Sequence, residues 1–95
     1  MKAENLFYRR YVFDDDAIVE MTVWRVPEPV PPTTHGFKYS LFYGRRGVRL
    51  CGYDNERGKG DHKHTGELEV AYSFTTVQQL IADFLADVRE LRRGL

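Results

Sequence analysis

Residues 17–26 read AIVEMTVWRV, and their alternation is that of a β-strand whose two faces differ in polarity. The odd-numbered positions from Ala17 to Val23 are apolar, whereas the even-numbered positions mix apolar and polar side chains, among them Glu20. β-Branched and aromatic residues also dominate Leu6–Phe13, and the three aspartates at 14–16 are turn formers. We therefore expect a first hairpin with an apolar face towards a core and a mixed face that is free to line a site.

Further strands are predicted on the C-terminal side of this hairpin. Pro27–Thr34 holds all four prolines, which cannot donate ladder hydrogen bonds, so it is expected to be an extended connection. Phe37–Tyr43 and Val48–Tyr53 alternate again on either side of a predicted tight turn at Gly44–Gly47, which gives a second hairpin. Val70–Phe74 is predicted as one more short strand.

The C-terminal segment has the periodicity of an amphipathic helix. Thr75, followed three residues later by Gln78, is a capping-box start. Apolar side chains then recur at helical spacing, at Val77, Leu80, Ile81, Phe84, Leu85, Val88 and Leu91. The sequence thus predicts an α+β fold: an antiparallel sheet of about four to five strands, made of two hairpins and a short strand, packed against one C-terminal helix.

Composition limits the function classes. The chain of 95 residues is long enough for a single domain, residues 1–95, and 14 basic residues balance 14 acidic ones, so a nucleic-acid role must depend on local patches. Cys51 is the only cysteine, which excludes an internal disulfide and favours a reducing compartment. No apolar run approaches the roughly 20 residues that cross a bilayer, and MKAENLFYRR lacks a signal core. We expect a cytoplasmic protein without membrane contact.

Residues 53–64 read YDNERGKGDHKH and hold two of the three histidines of the chain. The apolar pattern stops here, so Asp54–His64 is predicted to be a glycine-punctuated loop. Histidine exchanges protons near neutral pH, and a neighbouring carboxylate orients its ring. We therefore take His62 and His64 as acid and base candidates, Asp61 as the group that orients one of them, and Lys59 as a cation that stabilises charge on a phosphate.

Other residues are candidates for holding a substrate phosphate or for lining the site. They are Lys63, Asp54, Asn55, Arg57, Tyr39 and His35. Simpler interpretations are also open: that the loop is only a solvated segment, that Tyr39 packs within a strand, and that His35 is an incidental loop residue. A metal site at Asp61, His62 and His64, with Glu20 or His35 as a further ligand, is another alternative.

The segment resembles the TumE-like toxins of bacterial and archaeal toxin–antitoxin systems. Their motif of Tyr-Asp-Asn, then Lys-Gly-Asp-His, a basic residue and His corresponds here to Tyr53, Asp54, Asn55, Lys59, Gly60, Asp61, His62, Lys63 and His64. The order of elements is also similar along essentially the whole chain, although residues 14–16 are aspartates where a glycine is expected. The resemblance implies a toxin neutralised by a small helix-turn-helix antitoxin encoded beside it.

The leading hypothesis is a metal-independent ribonuclease toxin that needs no cofactor, and its attack on RNA is an analogy with toxins of this kind. A non-catalytic module that binds nucleic acid or protein is one alternative. A metal-dependent nuclease or nucleotidyl-transferring enzyme that uses the same residues is another. The expected partners are the helix-turn-helix antitoxin and an RNA substrate, and a homodimer is a further possibility.

Overall fold

The computed structural model describes residues 2–95, which form a six-stranded antiparallel sheet and one helix. The strands are β1 (Glu4–Val12), β2 (Ala17–Arg25), β3 (Phe37–Arg45), β4 (Val48–Glu56), β5 (Gly60–Thr65) and β6 (Leu68–Ala71), and the helix is α1 (Val77–Leu91). Each strand pairs with its neighbour in the chain, so the sheet is an up-and-down meander. The α+β class with one antiparallel sheet and a C-terminal helix is confirmed, whereas the predicted count of four to five strands is wrong.

The extra strand comes from the segment that was predicted to be a loop. β4 continues beyond Tyr53 to Glu56 and pairs with β5, so Asp54–His64 forms most of a hairpin. Gly58 and Gly60 have φ of 87° and 78°, which lets the chain reverse sharply between the two strands. β6 begins at Leu68, two residues before the predicted Val70, and ends before Phe74.

The core lies on the face of the sheet that α1 covers, which we call the inner face; the opposite face is the outer face. Buried side chains from three adjacent strands illustrate it: Val19 is opposite Tyr43, and Tyr43 is opposite Cys51. Tyr53 packs edge-on against Phe84 of the helix. Burial raises the pKa of Cys51 to about 11, so this thiol is a core residue and not a nucleophile at neutral pH.

The proline-rich segment is a connection, as expected, and it lies against the β4–β5 turn. The amide of Gly58 donates a hydrogen bond of 2.8 Å to the carbonyl oxygen of Pro31. A side chain at Gly60 would approach Pro32 to 3.2 Å, so the two segments are in close contact there. The connection therefore holds the start of β5 in place.

Helix α1 begins one residue later than the sequence indicated, because Thr76 and not Thr75 is its N-cap. The Thr76 hydroxyl accepts a hydrogen bond of 3.0 Å from the amide of Gln79. Leu80, Phe84 and Val88 are buried against the sheet, as predicted for this stripe. Within residues 2–95, the structure has no helix with the length and apolar character needed to span a membrane.

Replacing Phe84 by Ala tests the contact between helix and sheet. Phe84 is fully buried, so Phe84→Ala should lower the free energy of unfolding by about 3–5 kcal/mol, as measured by urea denaturation followed by circular dichroism. Leu91→Ala is the matched control, because Leu91 belongs to the same helix but is 40% exposed, and it should cost less than about 1 kcal/mol. Equal losses for the two variants would contradict this packing.

Candidate functional site

The pairing of β4 with β5 separates the predicted site residues onto two faces of the sheet. Asp54 is opposite His62, and Asn55 is opposite Asp61. Because successive residues of a strand point to opposite faces, Asp54, His62 and His64 lie together on the outer face. Asn55 and Asp61 lie on the inner face, with the helix. Residues that are adjacent in sequence are thus divided between two environments.

Asp54, His62 and His64 form the outer cluster. The Nε2 atom of His62 lies 2.5 Å from Oδ1 of Asp54, and Nε2 of His64 lies 4.0 Å from the same oxygen. The two imidazole rings meet edge to face, with centroids 4.8 Å apart. One candidate ligand atom from each residue lies within 4.8 Å of the other two. Both histidines are buried, so this is a compact polar site with little water around it.

The hydrogen bonding of His62 defines which of its nitrogens carries the proton. Its Nδ1 lies 2.9 Å from the carbonyl oxygen of Gly60, which can only accept, so Nδ1 is the donor. The contact between Nε2 and Asp54 Oδ1 is short but lacks hydrogen-bond geometry, and both atoms are buried without a hydrogen-bond partner among residues 2–95. Buried polar groups are nearly always paired, so this exception calls for a functional explanation.

Charged side chains border the outer cluster. Glu69 of β6 lies opposite His64, with Oε2 3.7 Å from His64 Nδ1 and Oε1 3.9 Å from His62 Nε2. Lys59 lies 3.5 Å from Glu69 and is half exposed. Burial and the positive charge of Arg49 lower the pKa of His64, against the opposing effect of Asp54 and Glu69. A shallow depression of about 280 Å³, lined in part by Lys59, Asp61, His62 and Glu69, opens beside the cluster.

Asp61 is the centre of a different network on the inner face. Its Oδ1 lies 2.6 Å from the Tyr39 hydroxyl and 2.8 Å from His35 Nε2, and Thr33 Oγ1 lies 3.5 Å from its Oδ2. The amide of Phe37 donates to His35 Nδ1, so Nε2 carries the proton that His35 donates to Asp61. We call Thr33, His35, Tyr39 and Asp61 the inner network. Its carboxylate is satisfied by protein groups and fastens the proline connection to the sheet.

This placement corrects the predicted pairing of Asp61 with the two loop histidines. The carboxylate beside them is that of Asp54, because Asp61 points to the other face. His35 and Tyr39 do lie together, but with Asp61 and away from the outer cluster. Glu20, which was considered as a further metal ligand, instead accepts a hydrogen bond from Tyr8.

The remaining candidates lie elsewhere. Asn55 is fully buried, donates to the carbonyl oxygen of Phe37 and accepts from the amide of Tyr39, which makes it a structural link between β4 and β3. Lys63 is on the inner face, with Nζ 3.5 Å from Asp87 of the helix. Arg57 is exposed in the β4–β5 turn and lines a separate depression beside the proline connection.

Sequence reasoning missed Glu69 as part of the site. Its position follows from the pairing of β6 with β5, which sets Glu69 opposite His64. Charged and polar side chains occupy both faces of residues 60–65, so no alternation of apolar and polar positions indicated this strand in the sequence. Because β5 was not predicted, there was no strand pairing from which Glu69 could be placed near a histidine.

The two aspartates should differ in their effect on stability. Asp61→Ala leaves the hydroxyl of Tyr39 and Nε2 of His35 without their acceptor, so it should lower the free energy of unfolding by about 1–3 kcal/mol. Asp54→Ala removes a carboxylate whose buried oxygen has no hydrogen-bond partner among residues 2–95, so it should cost less or stabilise the fold. Urea denaturation of both variants measures the difference, and a larger loss for Asp54→Ala would refute the two assignments.

Comparison with known proteins identifies the family. The family model described as Toxin TumE matches residues 2–92, which include the whole sheet and the whole of helix α1. No curated protein and no solved structure matches the chain. The family match confirms the resemblance noted in the sequence and covers both the outer cluster and the inner network. This chain therefore belongs to the TumE family of toxins.

Proposed function

We propose that this toxin acts on RNA as a ribonuclease and that the outer cluster is its catalytic centre. The observation that carries the proposal is the convergence of two buried imidazoles on one carboxylate, with two of the facing atoms lacking a hydrogen-bond partner among the described residues. A buried polar atom without a hydrogen bond costs stability, so the needs of the fold alone do not explain these two atoms. Polar groups held in this way, next to an open depression, are typical of functional sites.

The chemistry of RNA cleavage matches what this face of the sheet offers. The 2′-hydroxyl must lose a proton, charge on the phosphate must be stabilised, and the leaving oxygen must gain a proton. Histidine and carboxylate groups for handling protons lie in the outer cluster. Lys59 lies at its edge, and its exposed pairing with Glu69 is weak enough to be exchanged for a phosphate. That these steps proceed without a metal stays a prediction from the sequence.

The inner network does not compete for this role. The two oxygens of Asp61 face a tyrosine hydroxyl, a histidine N–H and a threonine hydroxyl of the protein itself. A substrate would have to displace these groups before it reached the carboxylate. The outer cluster is therefore the better candidate, and Asp54 takes the part that the sequence suggested for Asp61.

The proposal includes an antitoxin that neutralises the toxin in the cytoplasm, where the RNA substrate is found. The helix-turn-helix character of that antitoxin is an expectation from the family resemblance. Covering the outer cluster or the adjacent depression would suffice to block access of RNA. A short reading frame for such a protein beside the gene of this toxin would support the pairing.

Two Asp→Asn variants on the β4–β5 hairpin give a matched test. Asp54→Asn should reduce RNA cleavage and relieve growth arrest on induced expression without antitoxin. The loss should be smaller than the roughly 10²- to 10⁴-fold loss expected when His62 or His64 is removed, because the change takes away the charge that orients an imidazole and not a group that transfers the proton. Asp61→Asn is the control, because it makes the same change of charge on the same hairpin but on the inner face, and it should stay within a few-fold of the parent. Circular dichroism establishes that both are folded.

Two outcomes would reject the proposal. Folded protein that lacks both His62 and His64 and still arrests growth as the parent does would remove the outer cluster from the mechanism. Parent protein that shifts RNA on a gel but produces no fragments with substrate in excess would indicate a binding module in place of a nuclease. Running the cleavage assay with and without chelator determines whether the activity needs a metal.

A further inference from the structure

We propose that Asp54, His62 and His64 form a binding site for one divalent transition-metal ion, with Zn²⁺ as the probe. Imidazole nitrogen and carboxylate oxygen are ligands that such ions take readily. A catalytic use of the ion rests on the proposed ribonuclease function and replaces proton transfer by these side chains, since the ion occupies their lone pairs, whereas the binding itself is measured without RNA. The argument depends on the direction of the His62 lone pair and on the distances among these three side chains.

His62 presents a lone pair to one side of the Asp54 oxygen, because a contact without hydrogen-bond geometry places neither an N–H nor a lone pair on the line between the two atoms. Since Nδ1 donates its proton to the carbonyl oxygen of Gly60, the neutral ring has an unprotonated Nε2, and this atom lies 2.5 Å from Oδ1 of the carboxylate. Two lone pairs at this distance repel each other unless a cation lies between or beside them. The cation is either a second proton on the ring or a metal ion.

The geometry favours the metal ion over the second proton. A charged imidazolium would direct its Nε2–H at the carboxylate and form a strong hydrogen bond, but this contact has no hydrogen-bond geometry. Nε2 of His64 also lies 4.0 Å from the same oxygen. An ion pair between His62 and Asp54 does not explain why a second imidazole nitrogen lies there. A shared ion bound to all three side chains accounts for the convergence.

The spacing of the cluster is close to that of a metal site. Ligand atoms about 2.0–2.2 Å from a tetrahedral Zn²⁺ are separated from one another by roughly 3.4 Å. The three candidate atoms all lie within 4.8 Å of one another, with individual separations of 2.5 and 4.0 Å from the Asp54 oxygen. One of these separations is shorter and the other longer than that value, so binding of an ion requires the side chains to move.

Groups around the cluster support the same interpretation. A metal-binding histidine usually donates its other ring N–H to a carbonyl or carboxylate, which fixes the ring, and His62 does so to Gly60. Glu69 lies within 3.9 Å of His62 Nε2, at a distance from which it can complete the coordination or hold a metal-bound water. Catalytic zinc sites typically have three protein ligands and a further position for water or substrate, and His62 is the one of the three side chains here that lines the adjacent depression.

The test is titration of the chelator-treated, folded protein with Zn²⁺ by isothermal calorimetry, with native mass spectrometry for the stoichiometry. We expect one ion per chain, and at least 100-fold weaker binding in His62→Ala and in His64→Ala. Asp61→Asn and Lys63→Ala are controls from the inner face of the same hairpin and should bind as the parent does. Cobalt(II) absorption in the visible range gives an independent signal of bound nitrogen and oxygen ligands.

The results separate this inference from the proposed function. Absence of saturable Zn²⁺ binding in the folded parent overturns the metal site, and so does parent-like binding in the folded double variant of His62 and His64. If the metal-free protein nevertheless cleaves RNA, the ribonuclease proposal stands and the enzyme acts without a metal. One-to-one binding that depends on both histidines, with no RNA cleavage by the loaded protein, supports the metal site and rejects the ribonuclease.

Discussion

The candidate site depends on the register between β4 and β5. Side chains alternate between the faces of a strand, so the polar run in this hairpin is sorted residue by residue. Asp54 and His62 are carried to the outer face, while Asn55 and Asp61 are carried to the inner face. A shift of one residue in β5 would carry His62 and His64 to the inner face and Asp61 to the outer face, which would separate the histidines from Asp54 and break the inner network. Both the outer cluster and the inner network therefore require that β4 and β5 pair in this register.

The inner face supplies the rigidity that the outer cluster needs. Asn55 bonds to the backbone of β3, and Asp61 holds His35 and Tyr39, so both strands of the hairpin are fixed from the side of the core. A catalytic or metal-binding constellation is effective only when its supports hold it within a fraction of an ångström. Hydrogen-bonded polar groups on the inner face therefore hold the hairpin in place while the outer face keeps polar atoms without hydrogen-bond partners. The two faces contain similar residue types. Their different roles therefore follow from whether their polar groups are hydrogen-bonded within the protein.

Apolar periodicity predicted the parts of the fold that bury apolar side chains. The alternation at 17–26 and the helical stripe around Phe84 are strong signals because each has one apolar face. β5 has none, since Asp61 and Lys63 occupy its inner face and His62 and His64 its outer face, so its strand character was concealed. The sequence singled out the segment that holds both clusters but not their partition, and it placed Asp61 beside the histidines where the structure places Asp54. Glu69 was missed for the same reason, because its place depends on a strand that was not predicted.

The most direct test of this partition is the long-range ¹H–¹⁵N spectrum of the histidine rings in the folded protein. The structure predicts a proton on Nδ1 of His62 and on Nε2 of His35, since these atoms face the Gly60 carbonyl and the Asp61 carboxylate. Asp54→Asn should shift the ring signals of His62 and leave those of His35 in place, and Asp61→Asn should do the reverse. If Asp61→Asn instead shifts His62 and leaves His35 unchanged, the two clusters are not divided as described and the account is wrong.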